Sequence, residues 1–182
     1  PRLKICADTE PERTGEATRR FGFERETADW REVLADPEVE VVSITSPNWL
    51  HREMCLAALE AGKHVFCEKP VGRDAAETGE IVAAAAGSRL QTFTGFCYRW
   101  SPVVQHLRGL IEAGRLGELT HYRGRFFCSY GHNPHNVLSW RFEREKAGTG
   151  VLGDLMSHVV DMALMLAGPL AEVVSQDETY IS

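Results

Sequence analysis

The sequence predicts an α/β protein built on a parallel sheet, and three observations carry that expectation. Strand-like runs alternate with helix-like ones. One run, Val39–Thr45, is nearly all apolar and β-branched, and the helical stretches carry their own start and stop residues. Strand, helix, strand at short spacing folds as right-handed βαβ units around parallel strands. Strands covered on both faces read as unbroken apolar runs rather than alternating ones.

Taken in order, Leu3–Ala7 is a short apolar run that reads as a buried strand, and Thr9-Glu-Pro-Glu12 reads as a capping box opening a helix that stops at Gly22. Asp29-Trp-Arg-Glu32 opens a second, short helix. After the Val39–Thr45 strand, Asn48 can cap a helix whose Leu50, Met54, Ala57 and Ala61 share one side, with Gly62 ending it. His64–Cys67 is a further strand, Asp74-Ala-Ala-Glu77 caps an Ala-rich helix ending near Gly87, and Leu90–Phe96 is strand-like again. Then the pattern changes. Ser101-Pro102 starts a helix with Pro at its first position, striped by Val103, Leu107, Leu110 and Ile111 up to Gly114. Leu119–Tyr130 alternates, with Thr120, Tyr122, Phe126, Cys128 and Tyr130 on one face and His121, Arg123 and Arg125 on the other. Such alternation suits an open, mainly antiparallel sheet packed on one side. Glu172–Ile181 reads as another strand, and a domain boundary is expected near Cys97–Tyr98, dividing 1–97 from 98–182.

At 182 residues the chain can hold one large domain or two small ones. A formal net charge of −6 with no basic block argues against nucleic acid or an anionic membrane surface as partner. No apolar run reads as a bilayer span. Five scattered cysteines, never spaced CxxC, argue against a disulfide scaffold or zinc ribbon and for a reducing cytoplasm. The chain opens without Met inside a strand-like run, so it reads as cut from a longer one, in which an export signal could precede it.

Several segments could carry chemistry. Asp8 follows the first strand, where an acidic residue in a dinucleotide fold accepts hydrogen bonds from the adenosine ribose; a solvated turn aspartate is the bland alternative. Neither neighbour of Asp8 is cationic, which favours NAD over NADP. Ser46-Pro-Asn-Trp-Leu-His51 and Cys67-Glu-Lys-Pro70 follow strands at their carboxyl ends, where such sheets bind ligands. Asn48 is equally a helix cap, His51 a first-turn surface residue, and Glu68 with Lys69 a surface ion pair. The sharper reading of Lys69 is a group that holds a substrate hydroxyl and the negative charge developing on it.

Gly148-Thr-Gly-Val-Leu-Gly153 spells GxGxxG, but Arg141–Lys146 ahead of it is charged rather than a buried strand, so it reads as a loop letting backbone approach a ligand. Beyond it, Leu152, Leu155, Val159, Ala163 and Leu166 make an apolar helical stripe, with Asp154, His158 and Asp161 on another face. Asp154 near the helix start should stay ionised and orient His158 as an acid/base. His132 and His135 form no metal set.

Together, Ser46-Pro-Asn…His51, Ala61–Pro70, Tyr98-Arg-Trp…Pro102, Ser139-Trp-Arg-Phe142 and Gly150–Asp161 make the chain resemble the Gfo/Idh/MocA family of NAD(P)-dependent oxidoreductases. The resemblance implies a Rossmann domain over 1–97, lacking its first strand and glycine-rich turn. It also implies an incomplete C-terminal substrate and oligomerisation domain over 98–182. It further implies hydride transfer between NAD, or NADP, and a secondary hydroxyl of a sugar, inositol or polyol, in a homo-oligomer. By position, Lys69, Asp154 and His158 match the family's catalytic groups, and Asp8, Ser46, Asn48, His51, Glu68 and Lys69 its cofactor contacts. Trp140 and Arg141 match a segment reaching the nicotinamide. Tyr98 and Arg141 are candidates for substrate contact beside Lys69, Asp154 and His158. Thr149 and Met156 stand where relatives often have Gly. Without the pyrophosphate cradle the chain alone is expected to bind NAD poorly. The alternative is a non-catalytic cofactor-binding or regulatory protein of the same fold.

Overall fold

The computed structural model describes residues 1–129 and 139–178; His132, His135, Tyr130 and the end of the expected Glu172–Ile181 strand lie outside these. The chain divides into two compact units, Pro1–Gly95 with His135–Asp154, and Phe96–Pro134 with Leu155–Ser182. The sequence pattern suggested a single boundary near Cys97–Tyr98. It does not reveal that a later segment rejoins the first unit, because that return depends on close packing at two glycines described below.

In the first unit, β1 (Ile5–Ala7) leads through α1 (Pro11–Phe21) to β2 (Arg25–Thr27), and the two strands pair in parallel from Ile5↔Arg25 to Ala7↔Thr27. The short helix α2 (Arg31–Ala35) follows. β3 (Val41–Ile44), α3 (Asn48–Glu60), β4 (His64–Cys67), α4 (Ala75–Ala86) and β5 (Thr92–Thr94) then build a parallel sheet in the order β3-β4-β5. Both sheets are parallel because each return passes through a helix. β2 is the one strand the sequence pattern misses, since Arg25-Glu-Thr has neither apolar character nor alternation. The core lies between the larger sheet and its helices: Ile44, Cys55, Ala58, Leu59, Val65, Cys67 and Ile81.

Local signals account for most helix ends. Gly22 closes α1 in the left-handed conformation at φ 78°, and its N–H donates to Thr18 O. The Asp74 carboxylate accepts from Glu77 N at 2.9 Å, the capping expected for α4. The other two expected caps fail. α1 starts from Glu10 without a side-chain cap, and α3 starts after Pro47 with Asn48 already inside the helix. The Asn48 side chain is committed elsewhere.

The second unit holds a 3-10 turn at Cys97–Trp100, α5 (Pro102–Glu112) and α7 (Ser157–Ala167). Ser101 and Pro102 start α5 as expected. The alternating segment 119–129 and the segment 172–178 form no strand among the described residues. Alternation marks which side chains would share a face, but a strand also needs a neighbour to complete its hydrogen-bond ladder. Phe126 is partly buried, while Phe127 at 87 % and Val174 at 99 % exposure stay in solvent.

The helical stretch Arg144–Ala167 is long and apolar enough by length and composition to cross a bilayer, which the sequence pattern had not suggested. It consists of α6 (Arg144–Ala147), a π-helical turn at Leu152–Met156 and α7, and it carries Asp154, His158 and Asp161.

Candidate active site

Lys69 leaves the end of β4 and its ammonium donates to both Asp154 Oδ1, at 2.6 Å, and Asp154 O, at 2.7 Å. The two side chains are only 15 % and 19 % exposed. An ammonium has three N–H groups and no acceptor, so among the described residues this arrangement spends two and leaves one. Arg141 approaches the same carboxylate from the other side, with Nε 3.7 Å from Oδ2. One carboxylate therefore faces two cations, and removing it would leave a mostly buried ammonium uncompensated.

Asp154 sits within the π-helical turn, where a regular helix was expected. Its N–H still donates to Gly150 O at 2.9 Å. Single π turns occur mostly inside helices at functional sites. Such a turn also upsets regular helical spacing, so the separation of Asp154 and His158 in sequence does not by itself place them on one face.

The GxGxxG segment serves close packing. Gly148 has φ 77°, and a Cβ there would lie 2.2 Å from Arg73 O; a Cβ on Gly153 would meet Thr149 Oγ1 at 2.6 Å and Pro70 Cγ at 3.4 Å. The backbone approach read from the sequence as directed at a ligand is directed at the Lys69–Arg73 stretch instead. Three further contacts staple the segment from Trp140 to Ala147 onto the unit. The buried Asn48 amide donates to Ala147 O at 3.1 Å, Arg73 Nη1 donates to Glu145 O at 2.6 Å, and Trp49 meets Trp140 edge-to-face at 5.4 Å. Lys146 lies over Trp49 at 5.6 Å and Arg141 over Trp140 at 4.4 Å. Trp49 carried no role of its own in the sequence; its only signal was an aromatic residue beside Asn48 at a strand's carboxyl end.

The other expected cofactor positions separate into two kinds. His51 is not a surface residue: it is 1 % exposed, with Nδ1 2.8 Å from Pro70 O and Nε2 2.7 Å from Ser46 O. Both ring nitrogens are thus taken up in tying the loop after β3 to the loop after β4. Glu68 accepts from Lys69 N at 3.1 Å, and its carboxylate lies so close to Gly95 that a Cβ there would stand 2.7 Å from Oε1. Asp8 and Ser46 keep polar atoms available. Asp8, at the end of β1, is 34 % exposed and accepts from Glu10 N at 2.9 Å. The Ser46 hydroxyl is buried without a hydrogen-bond partner among the described residues. Arg13, one turn into α1, brings Nη1 to 3.9 Å from Asp8 Oδ2, so a cation does stand near Asp8 although neither sequence neighbour is one.

In the second unit His158 is buried on α7 and ringed by aromatic side chains. Tyr98 is edge-to-face at 4.7 Å, Phe126 stacked at 6.0 Å and 15°, and Phe96 edge-to-face at 6.0 Å. Asp161 is also buried and takes a forked pair from Arg99: Nε at 2.9 and 2.8 Å from its two oxygens, and Nη2 at 2.6 Å from Oδ1. Hydrogen bonding to Asp161 raises the Arg99 pKa above its ordinary value. Among the described residues no cluster of His, Cys, Asp or Glu could hold a metal.

Parallel strands joined by helices, with polar side chains gathered at their carboxyl ends, define the class of doubly wound sheets that bind ligands, nucleotides among them, at that edge. The comparisons agree. Residues 2–96 match the oxidoreductase family with an NAD-binding Rossmann fold, and residues 104–181 match the GFO/IDH/MocA C-terminal domain. The chain belongs to the Gfo/Idh/MocA family. It is 41 % identical to levoglucosan dehydrogenase of Pseudarthrobacter phenanthrenivorans over 181 residues, which is 100 % of this chain and 46 % of that one. It is 35 % identical to the scyllo-inositol 2-dehydrogenase (NADP(+)) of Bacillus subtilis over 158 residues, 86 % of this chain and 42 % of that one. A solved levoglucosan dehydrogenase in complex with NADH and L-sorbose matches with a TM-score of 0.89 and 42 % identity, covering 92 % of this chain and 44 % of that one. The chain therefore spans a little under half the length of these relatives.

Proposed function

We propose that the intact protein is a nicotinamide-dependent dehydrogenase that oxidises a secondary hydroxyl of a sugar, inositol or related polyol to a ketone. The observation that carries this reading is the Lys69 ammonium, fixed by two bonds to Asp154 with its third N–H unspent. Relatives named for levoglucosan and scyllo-inositol support the substrate class.

The residues present fit the cofactor. An accessible carboxylate at Asp8 suits the ribose hydroxyls, and the unpartnered Ser46 hydroxyl at the end of β3 offers a further polar contact. Asn48, His51 and Glu68 act behind them by fixing the rim loops, while Trp140 and Arg141 would hold the nicotinamide end. NAD, when bound, supplies the acceptor for the hydride that leaves the carbinol carbon. The Asp8 carboxylate opposes a 2′-phosphate, which sets NAD ahead of NADP, and Arg13 beside it tempers that preference.

Lys69 donates its remaining N–H to the substrate oxygen and holds the negative charge that grows as the proton departs. His158 takes that proton as general base. Asp154 keeps the Lys69 ammonium in place and is balanced by Arg141. Tyr98 and Arg141 contact the remaining hydroxyls, an aromatic face and a planar donor both suiting a carbohydrate ring. The protein works in the cytoplasm as a homo-oligomer, and its five free thiols suit a reducing compartment.

The test is a panel of polyols and aldoses offered to the intact protein with NAD and with NADP, followed by reduced-cofactor absorbance. Oxidation of at least one sugar or inositol is expected, with His158→Ala abolishing it and sparing NAD affinity. A silent panel, or a His158→Ala variant that turns over like the parent, contradicts the reading.

A further inference from the structure

Asp161 and Arg99 form an ion pair in the second unit that the proposed chemistry does not use, with the Arg99 side chain 41 % exposed. The Asp161 side chain is 7 % exposed. A pair with one partner buried and the other at the surface contributes little net stability, because desolvating the carboxylate offsets the attraction and water screens the guanidinium. What a forked arginine–carboxylate pair does supply is fixed geometry, since the planar guanidinium meets both oxygens in one orientation.

The geometry here bears on one side chain. Asp161 lies three residues after His158 on α7, hence on the same face, and these two are the buried residues of that helix. Arg99 lies next to Tyr98 in the turn Cys97–Trp100, and the Gln105 amide donates to Arg99 O, anchoring the same turn to α5. The consequence is a Tyr98 ring held 4.7 Å from the imidazole, with Phe126 stacked on the imidazole and Phe96 at its edge.

We propose that Arg99 and Asp161 are positioning residues for His158: their ion pair locks the Cys97–Trp100 turn to α7 and so sets the ring cage that fixes the imidazole plane. The inference rests on His158 acting as the base. The Tyr98, Phe126 and Phe96 rings meet the imidazole at its face and edges, so a shift of the turn that carries Tyr98 shifts the cage.

The experiment uses the intact protein and the sugar found most active in the panel above. An Arg99→Met/Asp161→Leu double variant removes both charges together, and Arg99→Lys keeps a cation but loses the fork. The double variant should keep its unfolding midpoint within about 3 °C and its NAD affinity within about twofold, while kcat falls by about 10²-fold, the scale of a small misplacement of a reacting group. Arg99→Lys should recover part of that loss, leaving kcat about tenfold down. A double variant with kcat within about threefold of the parent overturns the proposal. So does a kcat loss that only follows loss of folded protein, or an Arg99→Lys variant indistinguishable from the parent. His158→Ala run alongside separates the two claims: full turnover there removes the functional reading and this inference with it. Loss there, with an unaffected double variant, removes this inference alone.

Discussion

The two units keep their polar groups in place by different means. Among the described residues every buried apolar side chain, from Ile5 through Ile44, Val65 and Ile81 to Ala147, belongs to the first unit. In the second the buried positions are His158 and Asp161. The first unit presents Lys69 from a strand end whose backbone is fixed by a core, and tunes it with one carboxylate. The second has no comparable core and fixes His158 through an ion pair and aromatic rings. A site residue on the first unit therefore depends on backbone packing, and one on the second on side-chain neighbours.

Substitutions can break or sharpen that contrast. The largest effect is expected at Gly148, where φ 77° and a Cβ 2.2 Å from Arg73 O combine strain with overlap against backbone. Gly148→Ala should cost about 4 kcal/mol, summing a strained backbone and a local overpacking, in a denaturant titration. A cost below about 1 kcal/mol would mean the segment is not seated on Arg73 as described.

His51→Leu comes next. It removes the ring whose two nitrogens approach Ser46 O and Pro70 O in a buried place, at about 3 kcal/mol. Its readout in chemical unfolding should be accompanied by weaker NAD binding, because both rim loops lose their tie.

Arg73→Gln is smaller, about 1.5 kcal/mol for lost bonds to a charged partner. It also carries a pH signature. Hydrogen bonding to Arg73 holds the Glu77 carboxyl below its ordinary value of 4.5. A depressed carboxyl contributes stability that is present above that ordinary value and lost as pH falls through the lower folded one. The difference between parent and Arg73→Gln should thus be full at neutral pH and shrink once pH drops below 4.5. A difference that grows on acidification would contradict the pairing.

Val174→Ser, at a position 99 % exposed in the second unit, should change the unfolding free energy by less than about 0.5 kcal/mol. A larger cost would show a packed neighbour where none is described and would weaken the contrast from the other side.

How much of this was legible in the sequence follows the same division. Unbroken apolar runs announced β3 and β4, and a capping pair announced α4, because those signals are local. β2 was invisible because three residues of mixed charge form a strand only by pairing with β1. The alternating stretch 119–129 misled in the opposite direction, carrying the face pattern of a strand without a ladder among the described residues. Lys69 and Asp154 could be named as separate candidates, but their bond crosses 85 positions, and that of Asn48 to Ala147 crosses 99. No spacing rule reaches that far. Asn48 looked like a cap and His51 like a surface residue because nothing near them in sequence shows what they touch. Trp49 and Arg99 were legible only as members of longer motifs for the same reason.

The proposed chemistry rests on Lys69, clamped by Asp154 with one N–H to spare among the described residues. Its most direct test is the turnover of a Lys69→Met variant of the intact protein at saturating NAD and sugar, read beside NAD affinity. A fall in kcat on the order of 10³-fold is expected, the scale for losing a group that stabilises developing negative charge, with NAD binding within about threefold of the parent. Turnover within about threefold of the parent would contradict it.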